Sequence, residues 1–569
     1  MPSYADAANP DILERIPLDA RVVLDVGCGG GALGVEYKRR NPAARFLGIE
    51  CDPDAARIAE GRLDAVAQVD VEAEPLPFAE AAVDCIIYGD VLEHLRDPWR
   101  VLRAQARLLT PSGSVLICMP NIEHWSFAER LLRGTWDYEP QGLFDATHLR
   151  WFTFEMTRRA LLEAGLAPVD VTPRIFDLDR AQEFARAMRP ALAALGIDHD
   201  SYLARAAPLQ LVWRARRQPV ETLHIVSTML EPVGGVSEVR VTAPLQAMMT
   251  DPSVDARVVN GLDIATLPEQ GPRIFIFHRP LLVGEPGLAV VRALHAKGYV
   301  VVCEFDDHPD YIPVLQQPDI QNFRTMHAVQ TSTAPLAEVL RRDCPEVMVF
   351  PNAVSRLPPV RNFAEPGRLT LFFGGLNREE EWPAYLPALN AVAHLAGPRL
   401  HFRIVNDRGL FDALQTPHKS FTPLCDYDTY LDLLGGSEIS FMPLQDTPFN
   451  RCKSDLKFLE AAAHRVVALA SPPVYGASIA NGQTGLLFQD AQELQHRLLH
   501  LVADPAAGRA LGDAARAQVA QHRMLAYQVG RRIAWYRDLW ARRDSLHRDL
   551  LARVPELEPS RFAAVLAQD

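Results

Sequence analysis

The sequence predicts an α/β protein built from Rossmann-like units in series, a single sheet first and a two-lobed pair after it. Three observations carry that prediction. β-Branched runs alternate with helix-compatible stretches from Val22 to Ala470, the pattern of parallel strands joined by crossover helices. The run Val22-Val23-Leu24-Asp25-Val26 breaks into Gly27-Cys28-Gly29-Gly30-Gly31, and helix-compatible residues follow from Ala32, as at a strand, a tight turn and a helix start. After the polar joint Gln218-Pro219-Val220-Glu221, the alternation restarts at Leu223.

A chain of 569 residues is too long for one core. Its 48% hydrophobic and 23% charged residues are ordinary for globular domains, and a net charge of −13 argues against nonspecific nucleic-acid binding. The Met1 to Pro10 start lacks a signal-peptide pattern, and no apolar run is long enough to span a bilayer. The eight cysteines include no C-x-x-C pair, so a reducing, cytoplasmic setting is expected.

In chain order, Arg45 to Glu50 reads as a second strand ending in a carboxylate. Glycines let the backbone approach a ligand closely, and Glu50 sits where an acid takes ribose hydroxyls. Asp52 is a helix cap for the segment reaching Leu63. Ala65 to Val71 is a third strand, leaving Asp70 as an acceptor for an adenine amino group. Leu76-Pro77-Phe78 is a turn, Ala82 to Tyr88 a fourth strand, Arg100 to Leu109 an amphipathic helix, and Ser114 to Met119 a fifth strand.

These residues resemble the class I S-adenosylmethionine-dependent methyltransferases over about Arg21 to Trp213: Asp25-x-Gly27-x-Gly29-x-Gly31, Glu50, Asp70, Asp90-Val-Leu-Glu-His94 and Leu-Thr-Pro-Ser-Gly113. The resemblance implies S-adenosylmethionine as cofactor, bound by Asp25, Gly27, Gly29, Gly31, Glu50, Asp70 and Asp90. It also implies an acceptor lid in the polar, aromatic segment from Pro120 to Thr153, where Asp145-x-Thr-His148-x-Arg150 lies beside the acceptor. His148 is the expected base or acceptor ligand, with a cap of the following helix as the plain alternative. Some similar ubiquinone-pathway O-methyltransferases hold a divalent cation on a cluster spaced like Asp90, Glu93 and His94; no metal is assigned here.

In the second part, Ile274 to Phe277 is a strand ending at His278. Further strands end at Asp306-Asp307, read as a turn and cap, and at Gly374-Gly375. Ser454 or Asp455 caps a helix holding Lys457 and Glu460 one turn apart. Gly234-Gly235, Pro351-Asn352-Ala353-Val354, the Lys457-x-x-Glu460-Ala-Ala run and Asn481-Gly-x-Thr-Gly-Leu-Leu resemble the GT-B nucleotide-sugar glycosyltransferases over about Leu223 to Trp540. That resemblance implies a nucleotide-sugar co-substrate held by Gly234, Gly235, Arg378, Lys453, Lys457 and Glu460, because a diphosphate needs backbone N–H groups and cations; it also implies that His278 faces the interdomain cleft as acceptor base or sugar ligand. Retaining relatives carry Glu-x7-Glu ending at the position of Glu460; here the first falls on Cys452.

The expected domains are therefore a methyltransferase (1–217), two GT-B lobes (222–360 and 361–545) and a tail (546–569). Such fusions resemble bacterial surface-polysaccharide enzymes. A bifunctional methyl- and glycosyltransferase is expected, its acceptor a glycan or lipid-linked saccharide, with peripheral contact to a membrane compatible. Two alternatives stay open: a methyltransferase on an inactive sugar-binding GT-B scaffold, and a small-molecule O-methyltransferase.

Overall fold

The computed structural model describes residues 7–73, 76, 79–230, 235–361 and 367–558; Gly234 and most of the expected Leu76-Pro77-Phe78 turn lie outside them. The chain divides into two compact units, Met1–Glu221 with Met249–Val254, and Thr222–Met248 with Asp255–Asp569.

The first unit holds one seven-stranded sheet. Its strands are β1 (Val22–Val26), β2 (Arg45–Glu50), β3 (Ala65–Gln68), β4 (Val83–Gly89), β5 (Leu109–Pro120), β6 (Ala167–Arg174) and β7 (Gln210–Arg216), in the order β3-β2-β1-β4-β5-β7-β6. β1 to β5 run parallel, and β7 lies antiparallel between β5 and β6. Alternate residues supply two cores, one on each face. Leu24, Ile86 and Ile117 pack on one side, and Val23, Ile87 and Leu116 on the other. That two-residue period explains why the strands read as continuous apolar runs. The winding reverses between β1 and β4, which opens a crevice at their carboxyl ends.

The second unit holds two six-stranded sheets. The first lobe orders β8 (Leu223–Thr228), β9 (Val254–Val259), β10 (Arg273–His278), β11 (Val300–Glu304), β12 (Ala328–Thr331) and β13 (Val347–Val349) as β13-β12-β11-β10-β8-β9. The second orders β14 (Leu369–Gly374), β15 (Leu400–Val405), β16 (Lys419–Thr422), β17 (Ile439–Met442), β18 (Val467–Ala470) and β19 (Leu486–Leu487) as β16-β15-β14-β17-β18-β19. The latter is the doubly wound dinucleotide-fold order. The second unit is thus a tandem pair of Rossmann-like sheets, the two-lobed arrangement expected from the sequence.

Several features depart from the sequence reading; β15 and β16, like β9, were not expected. β9 is an edge strand whose alternate residues are exposed, and Asp255 and Arg257 make it look like a loop. The boundary expected at 546 falls inside a helix, Arg543–Arg553. Leu546, Leu550 and Val554 recur every fourth residue, forming one apolar stripe. Leu550, Val554 and Leu557 enter the first lobe's core. The preceding helix, Ala526–Ala541, also returns to that lobe: Tyr536 donates to Gln330 Oε1 at 2.6 Å, and Trp535 packs on Phe350. No helix among the described residues is long and apolar enough to cross a membrane.

Candidate active sites

In the first unit the glycine turn leaves β1 with Gly27, Gly29 and Gly31 all at positive φ. Gly27 admits nothing larger, since a Cβ there would lie 2.4 Å from Val91 Cγ2. The turn is tied to the end of β2. Ile49 O accepts from the N–H groups of Gly27 and Cys28. Glu50 accepts from Gly29 N at 2.8 Å through one oxygen and from Asp52 N at 3.0 Å through the other. Asp25 is buried on β1, and burial, with the charge of Glu50 second, lifts its carboxyl to about 8. Asp70 lies beyond β3, exposed, its Oδ1 accepting from Glu72 N in a local turn. The cofactor candidates thus lie on or just beyond the carboxyl ends of β1 to β4.

Asp90 directly follows β4 at a φ of +55°. Its carboxylate accepts from Gln210 Nε2 at 2.5 Å, so it is committed to β7. Glu93 is the unusual group. It is 2% exposed, and neither carboxylate oxygen has a hydrogen-bond partner. Burial, followed by the nearby charge of Asp90, holds its carboxyl well above the usual range. His94 and His148 close around it, one ligand atom of each of the three lying within 4.8 Å of the others. The grouping of Asp90 with Glu93 and His94 suggested by spacing is replaced by one in which His148 joins from 55 residues downstream.

The backbone makes that junction. Glu93 O accepts from Leu149 N and Arg150 N at 2.8 and 2.9 Å, which pins the Asp145–Arg150 segment onto the turn after β4. His148 therefore does not cap the following helix, Phe154–Glu163, whose cap is Thr153. Its ring packs edge-on against His94 and Trp151, and burial, then His94, lowers its pKa, so it stands neutral and able to accept a proton. Beside it Phe127, Trp136, Phe144 and Trp151 interlock with centroids 4.7–5.9 Å apart. A cavity of about 280 Å³ adjoins them, lined by Glu123, His124, Phe127 and Trp136 and also by Tyr202 and Arg205. The last two come from the helix His199–Ala206, and nothing local in the sequence marked them.

In the second unit a cavity of about 640 Å³ lies between the two lobes. The second lobe lines it with Gly374, Gly375, Arg378, Tyr427, Lys453, Lys457 and Glu460, and the first with Gly235, Arg240, Arg279, Asp306 and Asp307. Lys457 donates to Gly374 O, and burial, then Arg378, lowers its pKa. Glu460 accepts from Tyr427 Oη at 2.6 Å, and burial raises its carboxyl. Gly235 lies against Tyr427, where a Cβ would come within 2.4 Å of the ring. Asp455 does stand at the helix start but makes no capping bond; its carboxylate takes Arg523 and Ser478 instead.

His278 and the Asp306-Asp307 pair are placed differently from their expectation. His278 does not line the cavity: it is 3% exposed, its Nδ1 accepts from Leu230 N at 3.3 Å, and burial lowers its pKa to about 4. Cys452 packs into the first lobe's core, so a carboxylate in its place would be buried among apolar groups. Asp306 and Asp307, read as a turn and cap, line the cavity. Asp306 accepts from Arg279 Nε at 2.7 Å, and Asp307 from Arg279 Nη2 at 3.0 Å and from Lys453. The acidic pair directly after a strand was the available signal.

Comparison with known proteins bears on the first unit. Residues 1–171 match the family model described as "Methyltransferase domain". A ubiquinone biosynthesis O-methyltransferase of Cereibacter sphaeroides is 28% identical over 173 residues, 29% of this chain and 68% of that protein. The enzyme of the same name from Xanthomonas oryzae pv. oryzae is 33% identical over 152 residues, 23% of this chain and 63% of that one. Among solved structures, a glycosyltransferase from Rickettsia africae aligns at 13% identity with a TM-score of 0.40, over 56% of this chain and 99% of that one.

Proposed function

We propose, for a chain whose residues 1–171 match a methyltransferase-domain model, a bifunctional transferase of surface-glycan assembly in the cytoplasm. One unit moves a methyl group from S-adenosylmethionine to a sugar hydroxyl. The other moves a glycosyl group from a nucleotide sugar to a glycan or lipid-linked saccharide. The functional domains are then 1–217, 222–360 and 361–545, the last sharing its final helix with the lobe before it.

Methyl transfer from a sulfonium is a direct displacement, so the first unit chiefly aligns donor and acceptor and excludes water, an effect worth about 7–11 kcal/mol when complete. The glycine turn and Glu50 hold the cofactor, the aromatic lid positions the acceptor, and neutral His148 takes the hydroxyl proton. In an alternative arrangement Glu93, His94 and His148 would hold a divalent cation, which would satisfy the orphaned Glu93 carboxylate and polarise the acceptor oxygen in place of proton uptake by His148.

The observation that carries the second activity is the 640 Å³ cavity with Arg378, Lys453 and Lys457 on one lobe. A nucleoside diphosphate needs that charge, and Glu460 suits its ribose. A methyltransferase beside an inactive scaffold is the second reading, favoured by the engagement of Lys453 with Asp307. Calorimetry of the full chain with S-adenosylmethionine and with UDP, GDP, ADP and dTDP separates them. The bifunctional reading expects both ligand classes to bind, the first lost in Gly27→Val and the second in Lys457→Ala. Binding of S-adenosylmethionine alone overturns it.

A further inference from the structure

Lys453 and Asp307 belong to different lobes. Lys453 precedes the helix Leu456–Ala463 of the second, and Asp307 follows β11 of the first. They form a direct ion pair at the cavity wall, with side-chain exposures of only 22% and 18%. The other Asp307 oxygen is held by Arg279, and Arg279 is fixed by its second pair with Asp306. The ammonium of Lys453 also sits over the Phe449 ring, 4.3 Å from its centroid. The carboxylate is therefore aimed, and the lysine it reaches is among the three second-lobe cations facing the cavity.

We infer that Asp307 is a built-in competitor for the diphosphate of the donor: in the empty cleft its carboxylate occupies the place on Lys453 that a nucleoside-diphosphate phosphate takes when bound. This rests on the nucleotide-sugar reading of the cavity. A phosphate and a carboxylate make the same demand on an ammonium, a short charge-assisted hydrogen bond, and Lys453 cannot meet both in one geometry. Asp307 is the group that yields at least cost, because Arg279 still neutralises it after Lys453 has left. The pair also spans the lobes, so donor binding removes a restraint between them. An apparent affinity is reduced by the fraction of molecules in the competent state. A contact closed nine-tenths of the time weakens donor binding about tenfold.

The test is calorimetric titration of the full chain with UDP, GDP, ADP and dTDP, in wild type, Asp307→Asn, Asp307→Ser and Lys453→Met. Asp310→Asn is the control: it removes an acid from the same loop that pairs at the surface with Arg342. Circular dichroism reports whether each variant is folded, and the two Asp307 substitutions cover failure of either. The expected result is about tenfold tighter binding of whichever nucleotide the wild type takes in both Asp307 variants, little change in the control, and loss in Lys453→Met. Equal or weaker binding in the Asp307 variants overturns the inference while leaving the nucleotide site standing. If no variant binds any of the four, the nucleotide reading itself fails, and this inference with it.

Discussion

Replacing Asp25 by Asn tests the electrostatics of the methyltransferase site. Burial and Glu50 lift the Asp25 carboxyl to about 8, so at pH 7 about nine in ten empty molecules carry a proton there. S-adenosylmethionine brings a sulfonium and an ammonium, and a cation beside the group favours the carboxylate. Binding at pH 7 should then release about 0.9 proton, with an opposing cost of about 1.4 kcal/mol. Apparent Kd should fall roughly tenfold per pH unit from 6 to 8 and level off above. In Asp25→Asn the release and the pH dependence should both vanish. Stability gives a second readout with a fixed sign. The folded-state pKa is raised above 3.8, so Asp25 withdraws stability as pH climbs from there to about 8. The empty Asn variant should therefore melt at higher temperature than wild type at pH 8–9. Calorimetry in phosphate, HEPES and Tris at pH 7 counts the protons from the slope of heat against buffer ionisation enthalpy. A wild-type slope near zero, or one that survives in Asp25→Asn, refutes the reasoning.

Two stability predictions concern the second unit. Arg240 and Glu304 form a buried bidentate pair at 2.9 and 3.1 Å, with Arg240 also donating to Phe350 O and Asn352 Oδ1. Arg240→Met should cost about 3–5 kcal/mol by stranding the Glu304 charge, and Arg240→Met with Glu304→Met should recover most of it; urea midpoints by circular dichroism decide. His295 is half-buried beside His327 and His547, its two ring nitrogens shielded from solvent and unpartnered, and burial, then His547, lowers its pKa to about 3. Because the folded pKa lies below the unfolded value of about 6.5, its stability contribution is complete above pH 6.5 and is lost as pH falls towards 3. The loss from His295 alone should be about 2 kcal/mol at pH 5. His295→Phe should flatten that dependence, and an unchanged urea midpoint between pH 7 and pH 5 in wild type would exclude it.

What the sequence determined by itself is local. Continuous apolar runs identified strands buried on both faces, and the glycine turn after Val26 announced a positive-φ loop because few other residues adopt it. Glu50 at the end of the next strand was legible for the same reason: strand alternation and crossover length place it beside that turn. Helix starts were less legible, since Asp52 caps as its type suggests whereas Asp455 is drawn away by Arg523, 68 residues distant. Tertiary structure alone decided which side chains meet. Asp90 is diverted to Gln210, 120 residues on. His148 reaches Glu93 through backbone bonds that no spacing rule foresees, and His278 turns into a wall of its lobe. The final helices return to the first lobe because Leu550, Val554 and Leu557 find their apolar partners there. Period and turn chemistry act over a few residues and can be read along the chain; contacts and desolvation act through space, and only the folded chain specifies them.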